Sequence, residues 1–453
     1  MRSPHVVVVG GGLAGLAAAV DAVDGGARVT LLERRPRLGG ATWSFARDGI
    51  SYDNGQHVFM RCCHEYRSFL DRIGSGDKVF LQDALDVAVV SPDGRRGSIR
   101  RDRLPAPLHL ARTLATYPFL SVSQRAAAVR AAVALSRLDP DDASLDDRSF
   151  EQWLVSKGQG AAAIAALWEL IVLPTVNVRV GEASLKLAAR VFVTGLLTEA
   201  GGADIGWTRV PLAELHADAA SAVLSDAGAT VRTGAHVQRV SAAEAGRLTV
   251  DVDGAELTAD AVVVAVPHDV VDEIVPPTTV AHQDRLVELG VSPIVNVHLV
   301  YDRPVTDLAF AAGLNSPAQF VFDRSEAAGV GDGAQCLAVS ISGADEEIGR
   351  SPAELIATMS GAVTALFPAA GDAEVLHSMV TREVAATFRG RPGTDALRPA
   401  AETNVPGLMV AGTWTDTGWP ATMESAVASG REAARHALAH AWAYGPADSE
   451  SAA

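Results

Sequence analysis

Near the amino terminus a short, unbroken apolar run, HVVVV at residues 5–9, gives way to glycines and then to small apolar residues over 13–24. A β-branched run this brief and uniform predicts a buried parallel strand, followed by a turn and a helix. A second such run, ARVTLLE, ends at Glu33. Alanine-rich helical periodicity then fills about 105–200, punctuated by LDPDDASLDD, whereas SPIVNVHLVYD and QFVFD carry the pattern of strands. Residues 410–430, VAGTWTDTGWPATMESAVASG, pass from an apolar strand through a polar, tryptophan-bearing loop into a helix of small residues. Pro420 is expected in the first turn of that helix, where a missing N–H costs nothing. The N–H groups of Thr422 and Met423 are then free to point outward with the positive end of the helix dipole.

Composition narrows the classes. With 453 residues and 48% hydrophobic content, the chain can bury a large core and is long enough for two or more domains. A formal charge of -16 argues against nucleic acid as the main partner. Cys62, Cys63 and Cys336 give neither a disulfide framework nor metal-ligand spacing, so reduced thiols, a cytoplasmic setting and no metal are expected. The glycines and weak basic flank of HVVVVGGGLAGLAAAV speak against a signal sequence. GAAAIAALWELIVLPTV carries Glu169 and falls short of a membrane span, and the tail at 446–453 is expected to be disordered. No internal repeat is visible.

Chemistry enters at the first turn. Gly10, Gly12 and Gly15 set the spacing G-x-G-x-x-G between strand and helix. The first two permit a tight turn and close approach of backbone to a pyrophosphate, and the third lets the helix pack on the strand. The helix start at Leu13 and Ala14 then faces the phosphates. Glu33, about twenty residues on, is placed to accept hydrogen bonds from the ribose hydroxyls, and it would repel a 2′-phosphate. FAD or NAD therefore fits better than NADP.

Two further strings decide between them. RRPRLGGATWSF follows Glu33, and YDNGQHVF stands at 52–59. With HVQRV, VVVAVPH and the stretch at 410–430, they resemble the flavin-dependent amine oxidase and phytoene desaturase superfamily. The resemblance implies FAD, with Arg34, Gly40, Ala41, Gly55, Gln56, His57, Val237, Gly412, Asp416, Thr422 and Met423 beside it. Two departures stand out. Many relatives carry arginine where Ala41 stands, which leaves Arg34, Arg37 or Arg47 to supply the charge. Relatives often have an acid after the closing glycine, where Thr413 stands here, so Asp416 is the nearest substitute. The implied fold is α/β, a Rossmann-like FAD-binding domain of the amine oxidase and phytoene desaturase type. Its expected segments are 1–80, 205–270 and 400–445, interleaved with an α+β substrate domain at 81–204 and 271–399 that carries a helical lobe.

Within the superfamily, DNGQHVF, LPAPLHLARTL, LPTVNVRVGEASLKLAARVF, PLAELHADAA and GTWTDTGWPATMESAV look most like hydroxysqualene dehydroxylase. The resemblance implies an apolar C30 isoprenoid alcohol as substrate, reduced to squalene in hopanoid biosynthesis. Its hydroxyl is allylic, so protonating the oxygen lets water leave and a hydride from reduced flavin quench the cation. Asn296 and His298, two apart on one strand, share a face and are the catalytic candidates. Trp414 and Trp419 are expected to wall the site. Many amine oxidases place a lysine on the matching sheet, but Lys78, Lys157 and Lys186 all lie elsewhere. A carotenoid desaturase is the rival, and a non-catalytic prenyl-binding escort protein a more distant one. No second dinucleotide turn follows Glu33, so no built-in nicotinamide domain is expected, and the sequence leaves the electron donor open between a diffusible reduced nicotinamide and a partner reductase. Segment 95–137 holds nine arginines and one acid, Asp102, with Leu104, Leu108, Leu110, Leu114, Tyr117, Phe119 and Leu120 between them. That pattern predicts peripheral contact with a membrane surface.

Overall fold

The computed structural model describes residues 3–331 and 333–444, and counts of strands and helices refer to those residues. The tail at 446–453 lies outside them. Two sheets organise the chain. The first is parallel, with strands in the order Thr230–Thr233, Arg28–Glu33, His5–Val9, Ala261–Val264 and Leu408–Val410. His5–Val9 is central and buried at every position, as its β-branched run requires. Helix Leu13–Asp24 follows and packs on the long final helix, Met423–Tyr444. Their backbones touch, because a Cβ on Gly430 would run into the carbonyl of Ala14. The small residues of both helices are what allow this approach.

The second sheet has seven strands, ordered Val375–Thr387, Ser292–Tyr301, Gln335–Ser342, Phe320–Asp323, Phe310–Gly313, Asp86–Val90 and Arg96–Arg100. Strand Ser292–Tyr301 sorts its side chains by period two. Val295, Val297 and Leu299 pack beneath helix Pro352–Leu366, against Leu355, Met359 and Val363. That helix begins with a capping box between Ser351 and Glu354, a device typically worth about 1 kcal/mol. The alternate residues, Ile294, Asn296 and His298, face the other way, toward the first sheet's loops.

Helices fill 108–197, as their periodicity predicts. The lobe buries Leu110, Tyr117 and Leu120, and Tyr117 donates its hydroxyl to the carbonyl of Ala166 at 2.8 Å. This corrects the amphipathic reading of 95–137: three of its apolar residues belong to the core. Leu104 and Leu108 remain exposed, as do Val122, Val129 and Val133 on helix Val122–Leu135. Arg101 is not a free charge either, because it pairs with the fully buried carboxylate of Asp204, which also takes Arg61. Among the described residues no helix is long and apolar enough to cross a membrane.

Pro420 stands outside the first helical turn. Thr422 caps helix Met423–Tyr444, its hydroxyl accepting from the N–H of Ser425 at 3.2 Å, so the proline belongs to the incoming loop. The outward N–H groups of Thr422 and Met423 survive this shift, since neither has a hydrogen-bond partner among the described residues.

Candidate active site

The three glycines of the first turn do different work. Gly10 has φ +106°, a left-handed value that suits glycine, and a Cβ there would strike the carbonyl of Ala265. Gly15 is a packing residue, since its Cβ would meet the carbonyl of Gly10. Gly12 is open: the nearest atom to a Cβ there is the Cα of Gly40, at 3.7 Å. A Cβ on Gly40 would in turn lie 2.8 Å from the Gly12 Cα, so the two glycine turns meet through bare backbone at the edge of a cavity. Glu33 is buried beside them, accepting from Gly11 N at 2.6 Å and from Arg35 N at 2.7 Å. Each carboxylate oxygen takes one protein donor and keeps capacity for another.

The loop at 53–57 is fixed from three sides. Asp53 accepts from Ser44 Oγ at 2.6 Å, from Leu212 N at 3.0 Å and from Arg324 at 2.8 Å. Asn54 takes the N–H of Trp43 on Oδ1, and its Nδ2 donates to the Ala41 carbonyl and to Glu383 Oε1, each at 2.8 Å. Its own carbonyl receives Asn296 Nδ2 at 3.3 Å and Thr381 Oγ1 at 2.8 Å. Gly55, Gln56 and His57 are thereby presented to a cavity. His57 donates through Nδ1 to the Gly55 carbonyl at 3.1 Å, which fixes its tautomer, and burial holds its pKa below the usual value. Gln56 Nε2 is buried there with no partner.

At the far end of the chain Arg398 secures the closing loop. Its fully buried guanidinium pairs with Asp395 at 2.9 Å and donates to the carbonyl of Thr415 at 2.6 Å. Asp395 also binds Lys186 of the helical lobe, so loop and lobe are tied together. Trp414 donates its indole N–H to the Val266 carbonyl at 2.8 Å. These pieces enclose a cavity of about 580 Å³. One end holds the glycine turns, Glu33 and Arg34; Gly412, Trp419, Thr422 and Met423 also border it. Its wall also carries the apolar side chains of Leu85, Val87, Ile99, Leu170, Ile171 and Phe310. No lysine lines it among the described residues.

The sequence profile described as flavin containing amine oxidoreductase matches residues 13–438. The chain belongs to that family. Among curated members, zeta-carotene desaturase of Synechocystis sp. is 26% identical over 486 residues, covering 96% of this chain and 97% of the relative. Hydroxysqualene dehydroxylase of Rhodopseudomonas palustris is 26% identical over 448 residues, covering 96% and 99%. A triple mutant of putrescine oxidase has the same fold, with TM-score 0.75 at 21% identity over 96% of this chain and 99% of that one. A putative protoporphyrinogen oxidase from Exiguobacterium sp. 255-15 gives TM-score 0.70 at 18% identity, covering 97% and 99%.

FAD is the cofactor of this flavin oxidoreductase, and the residues present fit it. The space above Gly12 would be filled by any Cβ, Glu33 retains acceptor capacity for ribose hydroxyls, and Gln56 Nε2 lacks a partner. Gly10, Leu13, Ala14, Gly40, Ala41, Gly55, His57 and Val237 border the same cavity. Arg34 does too, whereas Arg47 turns to solvent beside Asp48. Arg37 stacks on Trp43 and donates to the Gly40 carbonyl. Asp416 is exposed and away from the cavity, its Oδ1 accepting from Gly418 N at 3.2 Å within its own loop, so it is corrected as a cofactor contact.

Asn296 and His298 do share a face, but neither lines the cavity. The loop at 52–55 covers both. Asn296 supports the Asn54 carbonyl, and His298 lies edge-on to Tyr52 with ring centroids 5.4 Å apart. Burial pushes the His298 pKa down to about 4, and its Nε2 has no partner. A buried neutral imidazole away from the cavity is a poor proton donor, which corrects both residues as catalytic candidates. The strand instead meets the cavity at Ile294, flanked in register by Ser342 and Glu383. A bulge between Ser292 and Ile294 shifts the neighbouring strand, so no spacing rule within one segment points to Glu383.

Proposed function

We propose that this flavin oxidoreductase removes the hydroxyl group of hydroxysqualene reductively, giving squalene. One observation carries the reading: the cavity that Gly55, Gln56 and His57 line is also lined by Leu85, Val87, Ile99, Leu170, Ile171 and Phe310, which we read as an apolar arm, and among the described residues no lysine lines it. That arm suits an uncharged isoprenoid chain. Support also comes from end-to-end alignment with a hydroxysqualene dehydroxylase and from the strings DNGQH and TGWPATMESA. In this reading 1–80, 205–270 and 400–445 form the FAD-binding domain, and 81–204 with 271–399 the substrate domain.

Bound FAD supplies two-electron redox chemistry. The chain's residues do the rest. Gly12 and Gly40 admit the pyrophosphate, Glu33 holds the ribose, and the free N–H groups at Thr422 and Met423 favour negative charge on the reduced cofactor. The apolar arm orients the substrate and keeps out water that would recapture a cation.

Carotenoid desaturation is the second reading, favoured by the 26% identity to zeta-carotene desaturases along nearly the whole chain. It uses the same cavity in the oxidising direction. Anaerobic incubation of the photoreduced protein with hydroxysqualene, then lipid extraction, tests the choice; squalene is expected. We also propose that the substrate enters from a membrane surface. Exposed Leu104 and Leu108 and the cations of Arg103, Arg112 and Arg130 would form a peripheral contact.

A further inference from the structure

We infer that Glu383 is the catalytic acid that protonates the departing hydroxyl, an assignment that rests on the dehydroxylation reading. Glu383 sits where the substrate sheet meets the cavity, in one row with Ile294 and Ser342. Its two oxygens differ. Oε1 accepts from Trp43 Nε1 at 3.2 Å and from Asn54 Nδ2 at 2.8 Å, whereas Oε2 accepts from no group among the described residues. Oε2 is not among the sealed, partnerless polar atoms and so keeps accessible surface, on a residue that lines the cavity. When the carboxyl is protonated, the proton belongs on Oε2, because two donors already occupy Oε1.

The other titratable groups near this wall are committed elsewhere. His57 has given its one ring proton to the Gly55 carbonyl. Glu424 accepts from Glu65 N at 3.2 Å and Tyr66 N at 2.8 Å, capping helix His64–Arg72. Cys63 is a weaker acid than an ordinary thiol, owing to its hydrogen bond with Cys62 and its burial. Arg37 is stacked over Trp43 at 4.0 Å, the indole that donates to Glu383 Oε1.

The step balances as a proton transfer with heterolysis. The allylic C–O bond breaks, its electron pair stays on oxygen, and the Oε2 proton joins it so that water leaves. The carbon takes a hydride equivalent from the reduced flavin cofactor, and the carboxylate recovers a proton from water before the next turnover. Alcohol, proton and hydride give hydrocarbon and water.

Glu383→Gln tests the assignment, since an amide keeps an acceptor for Asn54 and has no acidic proton. Flavin content and the visible spectrum are expected to match wild type. Single-turnover reduction of hydroxysqualene should fall by roughly 10²–10⁴-fold. The acetate ester of the same alcohol, whose leaving group departs without protonation, should react at close to the wild-type rate. Glu383→Asp should retain part of the alcohol activity. Undiminished alcohol turnover in the glutamine variant would overturn the assignment. So would loss of flavin, or equal loss of alcohol and ester turnover, either of which makes Glu383 a structural anchor. Failure of the wild-type protein itself to reduce hydroxysqualene removes the dehydroxylation reading, and this assignment with it.

Discussion

Arg324 donates to Asp53 at 2.8 Å across 271 residues of sequence, and both side chains are less than one-tenth exposed. The guanidinium also reaches the carbonyl of Thr208 at 2.8 Å. One buried cation therefore joins strand Phe320–Asp323 to the loop that carries Gly55, Gln56 and His57. Removing it strands a buried carboxylate.

Arg324→Met should accordingly lower stability by about 3–5 kcal/mol and reduce the flavin retained on purification. Asp53→Asn combined with Arg324→Met leaves no lone charge, and should recover a substantial part of that loss. Urea unfolding of the three proteins checks both statements. An Arg324→Met protein as stable as wild type would show that the pair does not hold the loop.

The glycines separate ligand contact from packing. Gly12→Val places its side chain in open space, so the protein should fold normally and bind FAD at least about tenfold more weakly, a loss of about 1.4 kcal/mol. Gly15→Val drives its side chain into the Gly10 carbonyl and should impair folding itself. Circular dichroism melting, read beside flavin absorbance per protein, distinguishes the two. Full flavin occupancy in Gly12→Val would contradict the cradle.

The first turn was legible because it is local: strand, glycines, helix and Glu33 lie within one stretch, and each residue type has a backbone reason to stand there. Asp53 to His57 was legible as a string, though not its supports. Arg324, Glu383 and Asn296 reach that loop from 271, 329 and 242 residues away. Asn296 and His298 drew attention through correct strand periodicity, yet periodicity says which face a residue takes and not what covers it. Leu110, Tyr117 and Leu120 failed similarly. Apolar residues among arginines fit a membrane-facing helix and a lobe packed on its own core equally well.

Acid sensitivity follows from His298. Its pKa lies near 4 in the folded protein against 6.5 when exposed, with burial the leading cause. Above pH 6.5 both states are neutral and the shift costs nothing. As pH falls toward 4 the unfolded chain takes the proton first, so stability drops, by about 2 kcal/mol at pH 5. His298→Phe keeps a ring against Tyr52 and should shrink the stability difference between pH 7.5 and pH 5 by that amount. His216, pushed down to about 3 by burial, should leave a remaining slope. An unchanged difference in the variant would contradict the burial argument.

Membrane contact, if it uses the exposed rim of 95–137, depends on arginines outside the fold's own ion pairs. Arg103, Arg112 and Arg130 pair with no acid among the described residues, whereas Arg101 anchors Asp204. Reversing those three charges should cost roughly 1 kcal/mol each in binding to anionic vesicles and flatten its salt dependence. Sedimentation with vesicles at low and high salt measures this. Identical, salt-insensitive sedimentation of wild type and variant would exclude the patch.

Redox direction tests the proposed function most directly. The photoreduced protein is mixed with hydroxysqualene without oxygen, and flavin absorbance is followed while the lipids are extracted and identified. In parallel, the oxidised protein is given phytoene and zeta-carotene. Return of the oxidised flavin spectrum with an equal amount of squalene, and no new double bonds in either polyene, is the expected result. Flavin that stays reduced in the presence of the alcohol, with desaturated product from a polyene, would contradict it.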